Sequence, residues 1–309
     1  MRSIELQLPV SKSAVAFTRG WIPDEPVRGA VQIVHGMAEH GGRYEVLAHA
    51  LVEAGYAVYA QDLPAHGRTA RARDELGQFP GGYGWRLALQ SIRCLQRELG
   101  DWHPGVPLFL YGHSMGSFLL QDYLSRHAHD LAGAVISAST ADTGPMRAIG
   151  VLILKLEAMR AGLDEPSAIA DLLTFRSYNR RFKPTRTAFD WLSTDAAEVD
   201  RYIADPHCGF RCSTGTWIEL LEAIGRLDDR RAARVPSRLP LLLTAGEDDP
   251  VSNGAKGPKL LAERYRKAGL TDVTVKTYPG ARHEPLNDHC REAVIRDVVE
   301  WMQARTPAA

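Results

Sequence analysis

The sequence predicts an α/β fold: an eight-stranded, mostly parallel sheet flanked by helices. Short Val, Ile, Leu and Tyr runs alternate with longer helical patterns, the signature of strand-helix-strand units. That alternation breaks off once, for about a hundred residues, and then resumes. The Ser, Asp and His residues best suited to chemistry stand just past the carboxyl ends of predicted strands, where sites in open α/β sheets collect.

The elements follow in order. Strands are expected at residues 4–8 and 14–21, and their connection, 9–13, is too short for a parallel crossover, so they form an antiparallel pair at the sheet edge. Strand 30–35 leads to helix 43–54, strand 57–61 to helix 83–99, and strand 107–111 to helix 115–127; strand 133–138 closes this part. Strand 239–245, helix 254–268, strand 273–278 and helix 287–304 complete the chain. Residues 1–139 and 239–309 thus read as two parts of one core, and 140–238 as a helical insertion over the sheet. Within the insertion, residues 149–159 (IGVLILKLEAM) are more apolar than a water-facing helix requires. They are expected to be buried against the main domain or to line an acyl-chain pocket.

Composition narrows the function. Of 309 residues 45% are hydrophobic, enough for a large core, and Lys plus Arg equals Asp plus Glu at 37 each. A chain so balanced has no global field to draw it to nucleic acid or an anionic membrane. The N-terminus lacks the uninterrupted apolar stretch of a signal peptide and no apolar run approaches a membrane span, so a cytoplasmic location is expected. Cys94, Cys208, Cys212 and Cys290 show no Cys-x-x-Cys spacing and read as reduced, packed thiols. His207 and Cys208 with Cys212 could be half of a metal site, but no second ligand pair stands out, and neither metal nor organic cofactor is expected.

The sharpest motif is Gly112-His-Ser114-Met-Gly116, between strand 107–111 and helix 115–127. Chance would place about 0.1 Gly-x-Ser-x-Gly copies in a chain of this composition. At a strand-to-helix turn it reads as a nucleophile elbow, with glycines beside a strained serine whose hydroxyl is left exposed. Ser114 is the candidate nucleophile. A serine needs a base, and the base a carboxylate, which in this architecture follow in the order Ser, Asp or Glu, His. That order leaves His283 and His289. His283 is preferred because it ends the turn Pro279-Gly-Ala-Arg after a strand, whereas His289 is expected on the final helix. For the acid, Gly246-Glu-Asp-Asp249-Pro-Val follows strand 239–245; Asp249, held extended by Pro250, is preferred over Asp248, with Asp142 third. The oxyanion donors are assigned to the amides of Met115 and of Met37, in the loop after strand 30–35. His35 reads as a structural hydrogen-bonder.

Together these segments resemble the α/β-hydrolase fold and, more narrowly, the monoacylglycerol lipase and bacterial lysophospholipase group. The resemblance rests on residues 35–44 (HGMAEHGGRY), 112–116 (GHSMG), 246–251 (GEDDPV) and 278–284 (YPGARHE), and spans nearly the whole chain. It implies the same five positions, Ser114, Asp249, His283, Met37 and Met115, and makes 140–238 a cap over an acyl pocket. One departure is Asp62-Leu-Pro-Ala-His66-Gly67, where relatives often show Asp-x-Arg-Gly-His-Gly. The expected activity is hydrolysis of a monoacyl lipid ester, a monoacylglycerol or lysophospholipid, with activity rising as His283 loses its proton near 6.5. Lipid contact, where it occurs, would be transient and through the cap. The rivals are a short-chain or aromatic carboxylesterase, a proline-iminopeptidase-like enzyme using Glu157, Asp164 or Glu165 to hold an ammonium, and a ligand-binding signalling protein on the same fold.

Overall fold

The computed structural model describes residues 1–141 and 144–307, so Asp142 lies outside the described residues. The sheet contains β1 (Arg2–Pro9), β2 (Val15–Ile22), β3 (Gly29–Val34), β4 (Tyr56–Gln61), β5 (Leu108–His113), β6 (Gly133–Ser137), β7 (Leu241–Gly246) and β8 (Val273–Tyr278). Their order across the sheet is β1-β2-β4-β3-β5-β6-β7-β8. As the short connection predicts, β1 and β2 pair antiparallel at the edge; β2 also pairs antiparallel with β4, and every later pairing is parallel.

Residues Gly29–Val34, Tyr56–Gln61, Leu108–His113, Gly133–Ser137 and Leu241–Gly246 are buried throughout, which is why they read as continuous apolar runs rather than alternating ones. One face is covered by α1 (Glu45–Glu53) and α11 (Arg291–Gln303), the other by α2 (Gly84–Trp102), α3 (Met115–His127) and α10 (Lys256–Lys267). The core side chains Leu119 and Leu120 of α3 are fully buried, each worth about 1.5–3 kcal/mol relative to exposure. Between β6 and β7 the chain forms α4 (Gly144–Ala161), α5 (Ala168–Leu173), α6 (Phe175–Asn179), α7 (Ala196–Ala204), α8 (Thr214–Gly225) and α9 (Asp229–Ala232). In this segment α8 lies against α2, α3 and α4.

Two expectations are corrected. Helix α4 buries Leu154 alone, while Ile149, Leu152, Leu156 and Met159 are about half exposed or more. Of the run at 149–159 only Leu154 joins the main core, with Ala158 packed against it; α4 rests on α8 by one side and turns its other side outward. Nor does α11 begin at 287. Pro285–Asn287 forms a 3₁₀ turn, and the Asp288 carboxylate accepts from the amides of Arg282 and His289 at 2.8 Å each, which holds residues 288–290 outside the helix. His289 accordingly stands in the turn before α11, its ring half exposed and bonded to Asp288.

Candidate active site

Ser114 sits between β5 and α3 with φ +51° and ψ −119°, a conformation rare for a side-chain-bearing residue. The tight turn is possible because α3 starts almost in contact with the end of β3: a Cβ at Gly116 would fall on the backbone carbonyls of Val34 and His35. The Ser114 amide donates to Ser137 O at 3.0 Å, fixing the turn to β6.

Three of the predicted side chains meet in one line. Ser114 Oγ lies 2.9 Å from His283 Nε2, and His283 Nδ1 lies 2.8 Å from Asp249 Oδ1. Asp249 has no solvent exposure, and the amides of Val251 at 2.8 Å and Ser252 at 3.2 Å donate to its oxygens. Burial raises the Asp249 carboxyl, but His283 and these donors outweigh it and the pKa falls below its ordinary value. For His283, burial disfavours the charged ring most strongly of all. Asp249, by charge and hydrogen bond, together with Glu284 and Glu39, nevertheless lifts its pKa above 6.5, so the limb expected near the unperturbed value moves upward. Asp248 instead points to Arg181 at 3.5 Å, half exposed.

The amides of Met37 and Met115 make no hydrogen bond to another described residue, and both residues border the same cavity as Ser114. That cavity, about 370 Å³, is walled chiefly by Phe118, Phe175, Trp191, Trp217, Leu220 and Ile224. Met146 and Arg147 of α4 line it, whereas no residue from 149–159 does. His35 is fully buried, takes the Leu63 amide on Nε2 at 2.9 Å and reaches Gly36 O through Nδ1 at 2.7 Å. Burial holds it neutral, at about 4. It is the structural hydrogen-bonder its position implied.

Sequence reasoning gave no role to the charged group behind the line. Arg43 donates to both oxygens of Glu284 at 2.7 Å and to Glu39 Oε2 at 2.8 Å. Glu39 Oε1 in turn accepts from the Gly36 amide at 2.5 Å and from Tyr44 Oη at 2.8 Å. One guanidinium therefore joins the loop carrying Met37 to the loop carrying His283. Burial raises the Glu284 carboxyl, but Arg43 overrides it and brings it to about 2. The legible signal was a Glu and an Arg four residues apart in a glycine-rich loop directly after a buried strand. The metal reading also changes. Cys212 lies in the core, and among the described residues the cluster with ligand-like spacing is His40, Asp205 and Cys208. There His40 Nε2 is bonded to Asp205 at 2.9 Å while its Nδ1 accepts from the Gly42 amide. Each ring nitrogen is thus already engaged without an ion.

Residues 25–289 match the profile of the family described as serine aminopeptidase, S33. The chain belongs to this family. Within reach of it are a monoacylglycerol lipase of Mycolicibacterium smegmatis, 29% identical over 91% of this chain and 90% of that protein, and the monoglyceride lipase of Mus musculus, 30% identical over 95% and 88%. Among solved structures, a carboxyl esterase from Bacillus coagulans superposes with a TM-score of 0.89 at 25% identity, over 98% of this chain and 99% of that one. This family member thus has the α/β-hydrolase fold expected of it. No helix of the described residues is long and apolar enough to cross a membrane.

Proposed function

We propose that the chain hydrolyses carboxylic esters of monoacyl lipids, monoacylglycerols or lysophospholipids, through an acyl-enzyme on Ser114. The observation that carries this reading is the Asp249–His283–Ser114 line opening onto an apolar cavity with two unused amides beside it. In the proposed mechanism His283 Nε2 takes the Ser114 proton as Oγ attacks the ester carbonyl. Asp249 holds the ring with its Nδ1–H inward and stabilises the imidazolium. The Met37 and Met115 amides receive the oxyanion. His283 then gives its proton to the leaving alcohol, and water releases the acid by the same route.

Residues 140–238 act in this reading as the cap, supplying Phe175, Trp191, Trp217, Leu220 and Ile224 to the acyl pocket. A cytoplasmic location fits four unpaired thiols. Among the described lining residues there is no carboxylate to hold a substrate ammonium, and Glu157 is bonded to Ser167 instead, which favours the ester over the peptidase reading. The test compares a medium-chain monoacylglycerol with an amino-acid anilide in wild type and Ser114→Ala, alongside labelling by an active-serine phosphonate. Ester turnover and labelling are expected in wild type alone. Undiminished labelling of the variant, or preference for the anilide, would overturn the proposal.

A further inference from the structure

Arg147 is the one charged residue among the described residues lining the cavity, and it faces aromatic and aliphatic walls. Its Nη1 donates to Leu221 O at 3.1 Å, inside the last turn and a half of α8. Among the described residues it forms no ion pair, and its Nε is buried without a hydrogen-bond partner. Nη2 makes no hydrogen bond to another described residue, and as part of a cation it can pair with an oxygen of a carboxylate or phosphate. The fold also makes room for it: Gly225 lies under the guanidinium, where any Cβ would collide with it. Leaving a donor of a cation unmet in an apolar wall costs stability, and a neutral acyl chain gains nothing from it.

We infer that Arg147 reads an anionic group on the substrate, so that the preferred esters carry a carboxylate or phosphate besides the scissile bond. The inference rests on the ester-hydrolase reading above and narrows its substrate class. The anion could come from the far end of the acyl chain or from the alcohol part; the chemistry recognised is the same.

Three matched substrates separate these sources: 1-decanoylglycerol, its 3-phosphate, and glycerol monosebacate, which has the same chain length ending in a carboxylate. In wild type kcat/KM for one charged ester should exceed that for the neutral one. In R147Q that ratio should fall about tenfold, and R147K, which keeps the charge without the guanidinium geometry, should restore part of it. Which charged ester responds identifies the source. A purely structural role at the end of α8 would lower all three rates in proportion and leave the ratio fixed, which would overturn the inference. Binding of the same three esters to Ser114→Ala, with and without R147Q, measured by calorimetry, reads the preference without turnover. Equal affinities for charged and neutral esters there would refute the inference even if ester hydrolysis itself holds, and absent hydrolysis with a charge-dependent affinity would refute the ester reading alone.

Discussion

Replacing Arg43 with methionine keeps much of the stem volume and removes the charge that joins two loops. In the folded protein the side chains of Glu39 and Glu284 are 4% and 7% exposed, and three bonds of 2.7–2.8 Å to Arg43 would be lost. Removing one partner from a buried pair costs about 3–5 kcal/mol. Linkage gives a similar figure: a carboxyl moved from 4.5 to about 2 contributes about 3 kcal/mol at neutral pH. With an unfolding entropy of about 2.1 cal/mol/K per residue over 309 residues, the melting temperature should fall about 5–8 °C. Because the folded pKa of Glu284 is depressed, its contribution is complete above 4.5 and fades as pH falls toward 2. The gap between wild type and variant should therefore be widest near pH 7 and shrink below pH 5. Removing the cation also leaves Glu39 and Glu284 to act on His283 unopposed, so the acid limb of activity should move to higher pH. Scanning calorimetry across pH, with kcat/KM profiles, checks both. A gap under about 1 °C at pH 7, or one that stays constant down to pH 3, would refute the reasoning.

Other outcomes follow from the same geometry. In wild type, activity should rise with pH through a limb above 6.5, since His283 must be neutral to accept the Ser114 proton and its environment raises its pKa; a limb at or below 6.5 in the kcat/KM profile would contradict this. Asp249→Asn should lower kcat by about 10⁴ by disfavouring the ring tautomer that accepts from Ser114, with little change in near-UV circular dichroism. Gly116→Ala should destabilise the protein by about 3 kcal/mol or more and depress kcat, because the new methyl meets backbone of β3 rather than a side chain that can turn aside; an unchanged melting curve would show that α3 has slack there.

The sheet was legible because its central strands are buried on both faces, so hydrophobic runs and strands coincide almost residue for residue. The meeting of Ser114, Asp249 and His283 was legible for a related reason. Parallel strands deliver their carboxyl ends to one edge, and chain order then leaves few choices. Helix α4 shows where that logic stops. Its run at 149–159 has a core-like composition, yet only Leu154 is buried, because local hydrophobicity does not say which neighbour is present. Arg43 was hidden for the opposite reason. Charge in a loop reads as solvated, and only the tertiary fold brings Glu284 to it from 241 residues away.

The strip of insertion at 190–193 constrains how a substrate can arrive. The His283 amide donates to Trp191 O at 3.4 Å, the Glu284 amide to Leu192 O at 2.8 Å, and Arg282 to Ser193 O at 2.9 Å, while the Trp191 ring lies 5.0 Å from that of His283. Lifting this strip would pull on the very loop that must hold the base in register. The stretch that anchors the catalytic loop is therefore distinct from α4 and α8, which line another part of the same cavity, so one insertion both braces the base and shapes the space in front of Ser114.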